Sequence, residues 1–288
     1  MTYTISDLQH GKAEVRLVTV DRGSTGSTDE GRHVLHDLNV TTQLRGDFAA
    51  AYVAGDNAHV HATDTQKNTV FALAREHGVG SPEGFLLTLA EHWREQPWVS
   101  GTVFGAEQYA WERLPDNGHS FVRSGQETRT ALVETDGDRT IVSAGVTDLV
   151  LLKSTGSEFH GFPRDRYTTL AETDDRILAT SVTATWRYTT PLAKGDRAYD
   201  AAYDAVRDAL LGAFASTHSL ALQQTIHAMG SAALDAVPEV AEIHISCPNK
   251  HHFLVDLEPF GLDNPGEVFF AADRPYGLIQ ATVRREED

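Results

Sequence analysis

Three polar segments of this 288-residue sequence carry residue types suited to binding a small anion. Residues 62–69 read Ala-Thr-Asp-Thr-Gln-Lys-Asn-Thr and lie where a predicted strand passes into a predicted helix. Backbone N–H groups at such a junction have no partner within the helix and can bind negative charge together with the hydroxyl groups. A helix cap would account for Asp64 alone, so the whole run predicts an anion-binding position.

The other two segments combine polar groups with large side chains. Residues 151–176 form a long predicted connection containing Phe159 and Arg176, which a solvated linker does not need, so this connection predicts a binding loop. Residues 248–253, Pro-Asn-Lys-His-His-Phe, place an amide, an ammonium group and an imidazole after an apolar strand pattern. A turn is predicted at Pro248-Asn249, and a turn would not require the rest of that segment.

Two other chemistries have weaker support. His59 and His61 would project from one face of a possible strand, as two metal ligands do, but no third ligand stands at suitable spacing nearby. Cys247 lies close in sequence to His251 and could be a nucleophile, yet it falls in an apolar strand pattern where cysteine behaves as a small core residue. The glycines of residues 78–84 follow a helix and do not fit the spacing of the dinucleotide-binding fingerprint.

The composition narrows the class of protein. The 24 Lys and Arg residues against 41 Asp and Glu give a net charge of −17, which repels nucleic acid and anionic membrane surfaces. No apolar run is long enough to cross a bilayer or to form a signal peptide, so we expect a soluble intracellular protein. Cys247 is the single cysteine, which excludes an intrachain disulfide and multi-cysteine metal sites.

Alternating and helical patterns predict the elements that must position these segments. In the first half, strands are predicted at residues 13–20 and 34–44, helices at 65–77 and 81–96, and long β segments at 99–113 and 120–134. In the second half, strands are predicted at residues 141–153 and 181–188, helices at 199–214 and 220–237, and strands at 240–247, 252–257 and 277–283.

The order β-β-α-α-β-β therefore occurs twice, with one more predicted strand at the end of the second half. A Gly- and Ser-rich stretch at residues 22–31 is predicted to join the first two strands as a hairpin. The repeat predicts an α+β protein of two tandem domains, 1–137 and 138–288, each with helices on one face of an antiparallel sheet.

Short motifs occur along nearly the whole chain: His10-Gly11-Lys12, Thr63-Asp64 with Lys67-Asn68-Thr69, Leu152-Lys153-Ser154-Thr155 with Phe159 and Gly161-Phe162, Tyr167-Thr168-Thr169-Leu170 with Asp175-Arg176-Ile177, Pro248-Asn249-Lys250-His251, Gly266-Glu267-Val268-Phe269 and Gly277-Leu278-Ile279. In this order they resemble the motifs of urate oxidase, the cofactor-independent uricase family of purine breakdown. Several independent motifs in the right order are far more specific than any one of them.

The resemblance implies a pair of tunnelling-fold (T-fold) domains per chain. In that family two chains close a β-barrel and two barrels stack into a homotetramer, with active sites at the chain interfaces. The implied reaction oxidises urate by O2 and water to 5-hydroxyisourate and hydrogen peroxide in purine catabolism. It needs no metal and no organic cofactor, because urate itself supplies the electrons.

The resemblance also implies the residues that would bind urate. Phe159 would stack on the purine, Arg176 would pair with one edge, and Gln223 would hold the other with help from the Leu222 backbone. Leu222 stands where the family commonly has valine, a change that a backbone donor tolerates. Thr63 and Asp64 would contact the substrate from the neighbouring chain.

The implied catalytic residues are Lys12, Thr63 and His251. Lys12 and Thr63 would form a proton relay that His251 completes, and Asn249 with Thr63 would hold dioxygen, and later water, above the ring. A lysine can serve in this way when burial or a neighbouring cation favours its neutral form.

Two alternatives remain open from the sequence. One is a zinc-dependent T-fold enzyme of the pterin-forming kind, and the other is a non-catalytic purine-binding protein on the same scaffold, which would be expected to lose Lys12 or His251. Eukaryotic members of the family end in a peroxisomal tripeptide such as Ser-Lys-Leu, whereas this sequence ends Glu-Glu-Asp. We therefore expect the protein to be located in the cytoplasm of a bacterium.

Overall fold

A computed structural model of the chain describes residues 3–22, 31–195 and 197–286. The strands are β1 (Gln9–Asp21), β2 (Val34–Gly46), β3 (Val99–Gln108), β4 (Trp111–Arg113), β5 (Phe121–Arg123), β6 (Thr128–Asp136), β7 (Arg139–Lys153), β8 (Leu178–Tyr188), β9 (Val240–Leu254) and β10 (Phe269–Arg284). The helices are α1 (Ala49–Ala54), α2 (Thr63–His77), α3 (Pro82–Arg94), α4 (Ala198–Ser216) and α5 (Leu222–Ala236), and a 3-10 turn covers Glu258–Phe260.

The chain divides into two compact units, the first made of Met1–Gly145 and Arg187–Tyr203. In this unit β1, β2, β3 and β6 are successive antiparallel neighbours. Every second residue of β2 is buried from Leu38 to Leu44, which is the pattern of a strand with one covered face. Helix α2 packs on β1, and α3 packs on β3 and β6, so the helices supply that cover.

Helix α3 illustrates why the sequence folds in this way. The Ser81 hydroxyl accepts a hydrogen bond from the Gly84 N–H at 3.2 Å, and Pro82 occupies the first helical position. Phe85, Leu86, Leu89 and Trp93 follow at helical spacing and are all fully buried. The predicted cap, start and apolar face of this helix are confirmed.

The second unit is made of Val146–Trp186 and Asp204–Asp288. Its strands follow the order β7, β8, β9, β10, and α5 packs on the last two. A Cβ atom at Gly230 of α5 would lie 2.5 Å from a methyl group of Val283, so only glycine allows the helix to approach β10 this closely. Val206 and Leu210 of α4 and Ile226 of α5 are fully buried, as the helical spacing predicts.

The α+β class with antiparallel strands is confirmed, and several boundaries are corrected. The predicted β segments 99–113 and 120–134 are each divided, because β4 and β5 form a separate two-stranded sheet. Helix α1 was not predicted, since its six residues are too few to show a helical period. The predicted hairpin between β1 and β2 is confirmed as an antiparallel pair, but most of its connection, residues 23–30, lies outside the described residues.

The predicted turn at Pro248-Asn249 is wrong, because β9 continues through both residues to Leu254. Pro248 pairs with Leu278 and Asn249 with Gly277, next to a shift of register in β10 between Ala272 and Gly277. Proline is tolerated within a strand at such an irregularity. The boundary between domains 1–137 and 138–288 stays a prediction. Among the described residues, no helix is long and apolar enough to cross a membrane.

Candidate active site

Lys12 lies on β1, opposite Thr42 of β2. The residue before it must be glycine, since a Cβ atom at Gly11 would lie 1.6 Å from the Thr42 carbonyl oxygen. The pairing of β1 with β2 shifts directly after Lys12, and Glu14 within this irregularity has a positive φ of 56°. Such a bulge changes the direction of the strand and of the side chains beside it.

Thr63 and Asp64 form the exposed start of α2. The helix begins at Thr63, two residues before the predicted start at residue 65. Most of the polar run at residues 62–69 is therefore helical. Asp64 accepts hydrogen bonds from Lys67 and from Asn68, the latter at 3.0 Å. These bonds, the Lys67 bond above all, with a smaller contribution from the charge of Lys12, lower the pKa of Asp64. Asp64 is therefore a carboxylate near neutral pH.

A buried polar contact joins the strand of Lys12 to the helix of Thr63. The Thr42 hydroxyl lies 3.5 Å from the Lys12 carbonyl oxygen and 3.1 Å from Oε1 of Gln66. Gln66 is in the first turn of α2, and both Thr42 and Gln66 are fully buried. Within the described part of the chain, Nε2 of Gln66 has no hydrogen-bond partner. This pair was not predicted from the sequence, although Gln66 stands four residues before Val70 on the core face of α2.

His59 and His61 lie on a connection and not on the strand predicted for them. His59 stacks on Trp98 with ring centroids 5.2 Å apart, and His61 lies between Trp93 and Trp98. Burial lowers the pKa of His61, so this ring is neutral at neutral pH. Among the described residues, no group of three or more His, Cys, Asp or Glu side chains is arranged to hold a metal ion.

In the second unit, Phe159 and Arg176 lie side by side. Phe159 exchanges two backbone hydrogen bonds with Thr173, at 2.9 and 3.2 Å, which fold the long loop back on itself. The Arg176 guanidinium carbon is then 5.1 Å from the centre of the Phe159 ring, and the Phe162 ring stacks on Phe159 at 5.0 Å with an interplanar angle of 12°. An aromatic surface and a cation are thus presented together.

Arg176 is half-buried, and its Nε–H donates to the Ser157 hydroxyl at 3.2 Å. Burial lowers the pKa of this guanidinium, which nevertheless remains charged at neutral pH because arginine starts from a very high value. Asp175 accepts hydrogen bonds from the Thr155 hydroxyl at 2.8 Å and from the Gly156 N–H at 3.0 Å. These bonds fix the backbone beside Arg176.

Leu222 and Gln223 begin α5. Leu222 is buried, whereas the side chain of Gln223 is exposed. The neighbouring Gln224 turns back and accepts a hydrogen bond from the Leu220 N–H at 2.8 Å. The cap residue Ala221 makes no side-chain capping bond, so the first N–H groups of α5, including that of Leu222, are presented at the helix N-terminus.

Asn249 and His251 lie on β9, opposite Gly277 and Ala272 of β10. They continue the row of alternate residues that begins with the buried Ile243, Ile245 and Cys247, and each is half-buried. The rings of His251 and Phe253 are 5.9 Å apart, as expected for strand residues two positions apart on one face. Burial raises the pKa of Cys247 to about 11, which argues against the nucleophile considered from the sequence.

The predicted site residues therefore fall into two groups. Lys12, Thr63 and Asp64 belong to the first unit, and Phe159, Arg176, Leu222, Gln223, Asn249 and His251 belong to the second. Within these groups the structure brings Lys12 close enough to Asp64 for their charges to interact, and it brings Phe159 into contact with Arg176. Ser157, which holds Arg176, was not singled out from the sequence.

Comparison with known proteins gives a consistent result. A family model described as uricase matches residues 8–134 and 142–280. The uricase of Arthrobacter globiformis is 59% identical to this chain over 279 residues, covering 96% of this chain and 89% of that protein. The uricase of Dictyostelium discoideum is 34% identical over 290 residues, covering 98% of each.

Solved structures agree with the sequence comparison. The crystal structure of uricase from Arthrobacter globiformis has a TM-score of 0.93 at 57% identity and covers 100% of this chain and 97% of that chain. A uricase from Bacillus fastidious has a TM-score of 0.83 at 26% identity, covering 97% of this chain and 94% of that chain. The fold described above is therefore shared with both structures.

Proposed function

This chain belongs to the uricase family and is an enzyme that oxidises urate, and we propose that it converts urate, O2 and water to 5-hydroxyisourate and hydrogen peroxide without a metal or an organic cofactor. Urate gives up two electrons, O2 takes them and becomes peroxide, and water supplies the oxygen added at C5. The reaction would serve purine catabolism in the cytoplasm of a bacterium.

The observation that carries the proposal is the pairing of the Phe159 ring with the Arg176 guanidinium. Urate is a flat, electron-rich anion, so it needs an aromatic surface and a bidentate cationic donor at its edge. Gln223, exposed at the start of α5, would hold the opposite edge, and the Leu222 N–H at the same helix terminus would donate to it.

Proton transfer and oxygen binding would use the remaining residues. We propose that Lys12 and Thr63 form the relay that removes a proton from urate and that His251 completes it. Asn249 with Thr63 would hold O2 and then water above the ring. The half-buried positions of Lys12 and His251 suit groups that must exchange protons while being partly shielded from water.

We also propose that the active enzyme is a homotetramer with sites at the chain interfaces. In the first unit β1 has one neighbouring strand among the described residues, and in the second unit the same holds for β10. Unpaired strand edges favour pairing with another chain, and closure of a barrel between two chains would remove them. Thr63 and Asp64 would then come to each site from the neighbouring chain.

The test is the loss of urate absorbance in the near ultraviolet, followed with chelator-treated protein in aerated buffer while peroxide is assayed in parallel. We expect urate loss with matching peroxide, and we expect Lys12→Met to lower kcat by orders of magnitude while an inert urate analogue still binds. Wild-type turnover in Lys12→Met would refute the relay. Activity that returns only when zinc is added would instead favour a pterin-type zinc enzyme.

A further inference from the structure

Within the described part of the chain, Arg176 uses one of its nitrogen atoms in a hydrogen bond. Its Nε–H donates to the hydroxyl of Ser157, and that serine is fully buried. A guanidinium can meet an anion through the edge formed by Nε and one Nη, or through the edge formed by the two Nη atoms. Because Nε is already bound, the edge formed by the two Nη atoms is the one oriented for a bidentate contact.

Ser157 is in turn fixed to the segment that leads into α5. Ser157 and Ser219 form a parallel β-bridge. On either side of it, the Glu158 N–H donates to the Ser219 carbonyl at 2.8 Å, and the Ser219 N–H donates to the Gly156 carbonyl at 2.9 Å. The loop of Arg176 is therefore joined to residue 219 by backbone bonds as well as by packing.

Ser219 is itself fixed to α5 by a side-chain hydrogen bond. The Thr225 hydroxyl donates to the Ser219 hydroxyl at 2.8 Å, and both residues are fully buried. Thr225 stands two residues after Gln223 in the first turn of that helix. A continuous series of buried contacts thus runs from Arg176 through Ser157, Ser219 and Thr225 to the helix that carries Gln223.

We propose that Ser157, Ser219 and Thr225 are positioning residues, which set the orientation of Arg176 and its distance from Gln223 to match the two edges of urate. The inference rests on the proposed roles of Arg176 and Gln223 in binding urate. Buried hydroxyl groups suit this purpose, because each bond has a narrow range of length and angle and no water competes for it. The substrate then meets a preorganised pair of donors.

Kinetics of single variants provide the test. Ser157→Ala and Thr225→Val are expected to raise KM for urate about tenfold, the effect of misplacing a charge-assisted hydrogen bond, while kcat changes less than about twofold. Thr225→Ser keeps the hydroxyl and should restore the wild-type KM. Ser216→Ala is the matched control, since Ser216 is exposed on α4 and, among the described residues, its hydroxyl bonds only to the Gly212 carbonyl of its own helix.

A double-mutant cycle separates positioning of Arg176 from a general structural role. If Ser157 acts through Arg176, Ser157→Ala should raise KM in the wild type but cause no further rise in an Arg176→Lys background. Equal effects in both backgrounds would overturn the inference. Should Ser157→Ala fail to fold, the comparison of Thr225→Val with Thr225→Ser decides the question.

Anaerobic binding of urate distinguishes this inference from the proposed function. Urate that binds but is not oxidised would refute the proposed reaction, and the effect of the variants on Kd would still decide whether these residues position the site. Normal urate oxidation by the wild type, together with unchanged KM in Ser157→Ala and Thr225→Val, would refute the positioning role alone. A wild type that neither binds nor oxidises urate would overturn both.

Discussion

Burial can suppress the reactivity of a nucleophilic side chain, and it does so for the thiol of Cys247. Its side chain is fully buried on β9, and burial raises the pKa of the thiol to about 11. At pH 8 only about one thousandth of such a thiol is the reactive thiolate. The cysteine is thus part of the core, although it lies four residues before the proposed relay residue His251.

We expect Cys247 to resist alkylation in the folded protein. Iodoacetamide at pH 8 should modify it only after denaturant is added, which mass spectrometry of the intact chain would measure. Cys247→Ala should retain wild-type kcat, because no proposed step uses the thiol. Rapid alkylation of the native enzyme with loss of turnover would contradict this prediction.

A site residue could be predicted from the sequence when its residue type alone suggested its role. Phe159 and Arg176 stood out because large aromatic and charged side chains are unusual on a solvated loop. Gln66 and Ser157 did not, because polar residues in polar runs are usually exposed, and the spacing of Gln66 from Val70 does not by itself show that it is buried. Only the folded contacts reveal that both are fully buried. The proposed contribution of Thr63 and Asp64 from a neighbouring chain rests on the family resemblance and has no mark in a local sequence pattern.

The elements were predicted well where a local signal marks their ends. Helix α3 has a serine cap, a proline at its first position and an apolar face, so its start and core residues were correct. The continuation of β9 through Pro248 was missed, because the local preference of a Pro-Asn pair is for a turn. Pairing with β10 overrides that preference, and such long-range pairing leaves no mark in a local pattern.

The contact between β2 and α2 predicts how the proposed relay can be disturbed at a distance. Thr42→Val removes the hydroxyl that lies between the Lys12 carbonyl and Gln66 while keeping the shape of the side chain. We expect kcat to fall about tenfold or more, because small displacements of catalytic groups are costly, with KM nearly unchanged. Steady-state kinetics with urate measure both quantities.

Thr102→Val is the matched control for that variant. Thr102 shares a buried hydroxyl contact of 2.9 Å with Thr135 in the same unit. Both variants should lose about 1 kcal/mol of unfolding free energy, the usual contribution of one hydrogen bond. Only Thr42→Val should lose turnover, and equal kcat in the two variants would exclude a positioning role for Thr42.

A buried ion-pair network holds helices and strand together in the first unit. Arg129 of β6 donates to Glu83 of α3 at 2.7 Å and to Asp200 of α4 at 2.8 Å, and its guanidinium lies 4.5 Å from the centre of the Tyr203 ring. Burial alone would lower the pKa of Arg129, but the charges of Glu83 and Asp200 outweigh it and raise the pKa. Arg129 therefore stays charged in the core.

Arg129→Met should destabilise the fold by about 3–5 kcal/mol, since it leaves the Glu83 carboxylate buried without a cation. Urea unfolding, followed by circular dichroism, would measure this loss. Burial raises the pKa of Glu83 already in the wild type, and removing the Arg129 charge, which opposes that rise, raises the pKa further. Glu83 therefore takes up a proton more readily in the variant, so the loss of stability should be smaller at pH 5 than at pH 7. Adding Glu83→Gln should recover part of the stability at pH 7, whereas a single Arg129→Met variant as stable as the wild type would contradict the account.

At the scale of the whole molecule, the net charge and the open strand edges bear on the proposed function. A charge of −17 repels an anionic substrate, so a cation at the proposed site must act locally against that field, and Arg176 is the one proposed to do so. Phe253 and Leu254 at the end of β9 and Phe270 of β10 are more than half exposed in the single chain. Exposed apolar residues beside an open edge are typical of an interface that another chain covers.

Mixing two inactive variants tests whether each site needs two chains. If Thr63 comes from one chain and Arg176 from its neighbour, Thr63→Ala and Arg176→Ala are each inactive alone, but a chain pair containing one of each has one intact site. Random pairing after co-expression should then restore about a quarter of the wild-type activity, because half the pairs are mixed and half of their sites are intact. Separately purified variants that do not exchange chains are the control and should stay inactive when mixed. Mass spectrometry must first show that the co-expressed protein contains both chains. If its activity is then no greater than that of the separate variants, Thr63 and Arg176 act within one chain.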